Sequence, residues 1–138
     1  MCVARRCPVL LMSALVLLVA CTSGTGPEDK DRLDLTAEDN GTHVRMSVGD
    51  ILTISLDENP SMGAHWEASD MDPDIMQYLD ETFEVDPACE PGAVGCGGTL
   101  KLRFAAVGGG ETVLRLAYRR AGDNATLDTF LVTLTVKN

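Results

Sequence analysis

Five cysteines, two histidines and 21 acidic residues are the groups in this 138-residue chain that could do chemistry. His43 and His65 are the general bases on offer. Neither falls in one expected loop with a nucleophile, so no catalytic triad is in prospect. The carboxylates are numerous but scattered, with no pair set apart as acid and base. No Cys-x-x-Cys spacing occurs, and two histidines make a poor ligand set, which argues against a metal site. What remains is binding chemistry, with no enzyme, no metal and no cofactor expected.

Cys21 has a chemical role of its own. Arg5 and Arg6 precede an apolar run from Val9 to Ala20, broken only by Ser13, and no acidic residue appears before Glu28. Twelve residues are too few to span a bilayer core as a helix, which takes about 20. This is the charged and apolar pattern of a signal peptide over residues 1–20. The run ends in Leu-Val-Ala-Cys, Leu18 to Cys21, which resembles a bacterial lipobox. That resemblance implies cleavage before Cys21 and lipid on its thiol. The polar stretch from 21 to 32 then looks like a tether leading to a domain at 33–138. The expected location is the cell envelope outside the cytoplasm, at the outer membrane or cell surface, with the lipid as the membrane attachment.

Cleavage leaves three cysteines, and lipid on Cys21 leaves one pair. Cys89 and Cys96 lie in an exported chain, around a short stretch holding Pro91, Gly92 and Gly95, so a disulfide between them is expected. Closing such a loop contributes roughly 2–3 kcal/mol in the chain-entropy picture. The mature chain would carry nine basic residues against 21 acidic ones, a net charge of −12. So acidic a domain is a poor match for nucleic acid or bare anionic lipid. A monomer is expected.

The elements that position these groups read as strands. Apolar and polar residues alternate at 33–35, 44–48, 52–56, 64–68, 83–85, 100–106, 114–118 and 130–136. Asn40-Gly41, Gly49-Asp50, Asn59-Pro60, Gly108 to Gly110 and Gly122-Asp123-Asn124 punctuate them. One helical turn is possible at 73–79, capped by Asp72 with Ile75, Met76 and Leu79 inward. About eight short strands predict an all-β fold, an antiparallel β-sandwich of immunoglobulin-like architecture. Successive strands in such a fold run in opposite directions. The connections at 57–63, 87–98 and 119–126 should therefore gather at one end and carry the function.

Asn59 to Trp66, "NPSMGAHW", resembles the N-P-x-x-G-x-x-W signature of the chagasin family, inhibitors of papain-type cysteine peptidases. Gly95 to Gly98, "GCGG", is similar to the family's second motif, G-x-G-G. The third, arginine-proline-aromatic after a tyrosine-bearing strand, is matched in part by Tyr118-Arg119-Arg120, with Ala121 and Gly122 in place of the proline and the aromatic. The resemblance covers residues 33–138. It implies a reversible, non-covalent inhibitor whose partner is a papain-like cysteine peptidase. Asn59, Pro60, Ser61, Met62 and Gly63 would form a central wedge in the active-site cleft. Gly95, Gly97, Gly98, Arg119 and Arg120 would flank it. Family members commonly carry two threonines where this chain has Ser61-Met62.

The residues themselves agree in part. Asn-Pro presets a turn and lowers the ordering cost of binding. Gly63 permits a positive φ. Met62, an apolar residue at a loop tip, has no core to join, whereas the alternation turns Trp66 inward as a structural residue. Gly97 and Gly98 could instead serve a bulge, and Arg119 and Arg120 could be a solvated pair. The alternative function is a surface sandwich that binds another protein or a glycan, favoured by the incomplete third motif.

Overall fold

Alternation becomes eight strands: β1 (Arg32–Thr36), β2 (His43–Ser47), β3 (Ile51–Glu58), β4 (Ala64–Asp70), β5 (Met76–Val85), β6 (Gly98–Ala106), β7 (Gly110–Arg120) and β8 (Thr126–Lys137). The computed structural model describes residues 31–138. The expected signal peptide, Cys21 and the tether up to residue 30 lie outside the described residues.

The strands form two four-stranded sheets, ordered β1-β3-β6-β5 and β2-β8-β7-β4. Inward side chains of both sheets make one core, in which Leu52, Ile54, Phe104, Leu114, Leu116, Phe130 and Val132 are fully or almost fully buried. The expected β-sandwich is thus observed. Four of its six pairings are antiparallel, while β1 pairs with β3 and β2 with β8 in parallel. The reason lies in the chain path. Direction reverses at every connection, so neighbours separated by an even number of connections must run the same way.

The helical turn expected at 73–79 shrinks to a single turn. The Ile75 and Met76 N–H groups both donate to Asp72 O, at 3.2 and 2.9 Å, and the Asp72 carboxylate accepts the Asp74 N–H at 2.9 Å. β5 starts at Met76, because β6 offers a ladder of partners as far as Val85. Ile75 and Met76 are buried, but Leu79 is exposed, where the ladder slips between Tyr78 and Asp80.

Three connections gather at one end: 59–63 between β3 and β4, 86–97 between β5 and β6, and 121–125 between β7 and β8. A fourth, 37–42, leaves from the same end but is strapped to β8. There Asn40 donates to Thr129 O at 3.2 Å and accepts from Leu131 N at 2.9 Å. The opposite end holds the Gly49-Asp50 turn and the 107–109 turn. The chain enters β1 there, with Asp31 N donating to Asp50 Oδ1 at 3.3 Å, and β8 finishes there, with Val48 N bonded to Lys137 O at 2.8 Å.

Candidate functional site

The central loop is a short 3-10 turn, Pro60–Met62, held by its own sequence. Pro60 presets φ at the first position. The Asn59 side-chain oxygen accepts from Ser61 N at 3.1 Å and from Ser61 Oγ at 2.6 Å, capping the turn. Gly63 ends it at φ 64°, ψ 30°, the left-handed region where a side chain is strained. The outcome is an exposed tip: Met62 is 64 % accessible.

The loop stands on a buried base. Trp66 stacks on Tyr118 with ring centroids 5.2 Å apart, and its indole N–H donates to Asp57 O at 3.0 Å. The aromatic pair thereby ties the end of β3 to β4 and β7, which fixes where the tip points. Trp66 is buried, as its alternation requires.

The second loop leans on the first. Asn59 Nδ2 donates to Gly95 O at 3.1 Å. Cys89 and Cys96 form a disulfide, with Cα atoms 6.1 Å apart, that closes the loop on itself. Gly92 and Gly95 both have positive φ, and between them Val94 is 96 % accessible. Gly97 and Gly98 are partly buried, and each has a packing reason to lack a side chain. A Cβ on Gly97 would lie 3.3 Å from Glu58 O, and one on Gly98 would overlap the Glu84 carbonyl oxygen.

The third loop closes the cluster from the other side. Ala121 N donates to Gly63 O at 2.8 Å. Arg120 pairs with Asp123 at 3.3 Å. The Ala125 N–H, and then the Arg120 charge, hold the Asp123 carboxyl below its ordinary value. Arg119 is turned away along the strand face, with Nε 2.8 Å from Glu67 Oε1. Its N–H is not aimed at that oxygen, so the contact is an ion pair rather than a hydrogen bond. Of the two arginines, Arg120 therefore stands nearer the loop end.

A groove of about 620 Å³ runs between the first two loops, lined by Asn59, Met62, Val85, Pro87 and Tyr118 among others. Sequence reasoning had not singled out Val94 or Glu58. Both had a signal: Val94 is the apolar member of a glycine-flanked stretch between two cysteines, and Glu58 continues the inward alternation of Leu52, Ile54 and Leu56 with a charge.

Residues 45–136 match the family model described as Chagasin family peptidase inhibitor I42. Amoebiasin-1 of Entamoeba histolytica is 31 % identical over 107 residues, spanning 76 % of this chain and 100 % of that protein. The crystal structure of the cysteine protease inhibitor EhICP2 from Entamoeba histolytica superimposes with a TM-score of 0.67 at 22 % identity, a likeness of fold over 77 % of this chain and 96 % of that one. The solution structure of Amebosin gives a TM-score of 0.59 at 25 % identity, over 78 % and 99 %.

Proposed function

Because the chain belongs to the chagasin family of peptidase inhibitors, we propose that it is a reversible, competitive inhibitor of papain-like cysteine peptidases, filling the active-site cleft with three loops. The family is one of inhibitors, not enzymes. The observation that carries the reading is the cross-bonded loop cluster, with Asn59 bonded to Gly95 and Gly63 to Ala121 around an exposed Met62. Loops braced on each other before binding lose little freedom on binding, so more of the contact energy appears as affinity. No covalent step is required, because a cleft blocked by backbone and an apolar tip needs no reaction.

The test is an inhibition titration of residues 31–138, which hold both sheets and their whole core, against papain. Competitive inhibition with the inhibitor recovered uncleaved is expected. Absence of inhibition would hand the site to the alternative, a surface sandwich binding another protein or a glycan. One feature favours that alternative: the third loop has Ala121 and Gly122 where the family motif has proline and an aromatic, and aromatic residues concentrate interface energy.

We further propose that an export signal at 1–20 and lipid on Cys21 hold this inhibitor at the outer membrane or cell surface, where it acts as a monomer. Signal and lipid rest on the N-terminal pattern. Metabolic labelling with a fatty-acid analogue should mark the wild type and leave Cys21→Ala unmarked. Equal labelling of both would mean that Cys21 does not carry the lipid.

A further inference from the structure

His65 sits between two carboxylates brought by other strands. Its Nδ1 is 3.0 Å from Oε1 of Glu58, the last residue of β3, and its Nε2 is 3.4 Å from Oε1 of Glu81 on β5. Glu58 is only 6 % accessible, and its second oxygen accepts the Trp66 N–H at 3.0 Å. The second oxygen of Glu81 accepts the Tyr78 hydroxyl at 3.1 Å. Both ring nitrogens therefore face acceptors. A neutral imidazole can hydrogen-bond Glu58 through its one N–H but carries no charge, whereas the imidazolium keeps that bond and also attracts Glu81 across 3.4 Å. The carboxylates flank the ring from two sides, and among the described residues no group of His, Cys, Asp and Glu is placed to hold a metal ion.

Position gives this arrangement its consequence. Glu58 immediately precedes Asn59, and His65 follows Gly63 by two residues, so their contact joins the two feet of the wedge loop. Glu81 adds the edge strand of the opposite sheet. We infer that protonated His65 is a positioning residue: it fastens both feet of the wedge to β5, and its loss of a proton slackens the loop and weakens inhibition. The inference rests on the inhibitor reading above.

The other charges facing His65 are Arg119, its register partner on β7, Glu67 on its own strand, and Arg120, which lines the same hollow. Arg119 is engaged by Glu67 at 2.8 Å and Arg120 by Asp123 at 3.3 Å, which leaves Glu58 and Glu81 to the ring. Burial works against the charged ring. The hydrogen bonds and charges of Glu58, then of Glu81, outweigh it and hold His65 above its ordinary value. A base raised in the folded state contributes stability that is complete below the unfolded value, about 6.5, and disappears as pH rises through the folded one. The clamp is closed in mildly acid solution and opens as pH rises through the raised value of the ring.

Two readouts on residues 31–138 decide it. In NMR titration, the His65 ring, assigned by its loss in His65→Gln, should titrate above the ordinary value, and the Ser61, Met62 and Gly63 amides should move with the same midpoint. Glu81→Gln should lower that midpoint. In the second, inhibition constants of His65→Gln and wild type are compared on one papain-like peptidase, so that the peptidase's own titration cancels. The ratio should be about tenfold at pH 5.5 and approach one at pH 8. A ratio equal at both pH values, or wedge amides indifferent to the ring, overturns the inference. If no papain-like peptidase is inhibited at either pH, the inhibitor reading falls, and the ring and amide titration alone decides the clamp.

Discussion

Met62→Asp is expected to fold as well as the wild type and to inhibit a papain-like peptidase about 30- to 150-fold less tightly. The expectation starts from exposure. Met62 is 64 % accessible and is not part of the buried core, so the melting temperature should hardly move. Affinity depends on different contacts. A few central, desolvated side chains usually dominate an interface, and truncating one costs about 1–2 kcal/mol. Truncation to alanine should thus weaken inhibition about tenfold. A carboxylate does worse, since it must be stripped of water in the cleft without a partner, which brings the loss to about 2–3 kcal/mol. The measurement is an inhibition constant beside a melting curve for each variant. Undiminished inhibition by Met62→Asp would mean that the tip does not enter the cleft.

Gly98→Ala is expected to fail the other way, through stability. Gly98 opens β6 and is paired on both sides, with Glu58 of β3 and Val85 of β5. A methyl group there would overlap the Glu84 carbonyl oxygen and come within 2.9 Å of Val85 Cα and 2.8 Å of Phe83 Cζ. Two of these atoms belong to backbone, so relief requires β5 to move off the ladder. Overpacking of this kind costs about 3 kcal/mol, which lowers the melting temperature of a domain this size by roughly 12–20 °C. Gly97→Ala is the control: its nearest contact, 3.3 Å to Glu58 O, is eased by a small shift. A Gly98→Ala domain melting within a few degrees of wild type would contradict the packing argument. The two variants together separate the motif glycine where β5 leaves no room for a side chain from the one where a small shift makes room.

Much of this architecture can be read in the residues. Leu52, Ile54 and Leu56 alternate because β3 buries one face, and Asn59-Pro60 with Gly63 spells the turn that follows it. Clustering of the three loops needs only the reversal of direction at each connection. The Cys89–Cys96 bond follows from there being one cysteine pair in the domain. Partner choice is less legible. Alternation says which face of β1 is buried but not that β1 lies parallel to β3, because a pleated strand accepts either ladder. The segment at 73–79 misleads because Ile75, Met76 and Leu79 fit a helical spacing, while the stronger claim on the backbone comes from β6, far along the chain. Glu58 and His65 could be seen as a charge in an inward position and a base near it. Their meeting with Glu81 depends on how the two sheet edges approach, which no local pattern encodes.

Both ends of the domain emerge at the pole farthest from the wedge. β3 runs the length between them, eight residues from Ile51 to Glu58, or about 25 Å. Arg32 pairs with Ile51 at the start of that path, and Lys137 lies beside Ser47 at the same pole. Were the domain moored through its first strand, as proposed, the wedge loop would stand outward, like the top of a post fixed by its foot. On the proposed reading, anchor and wedge would then be separated by the length of the sandwich, and a longer tether would extend the reach of the tip without altering its shape.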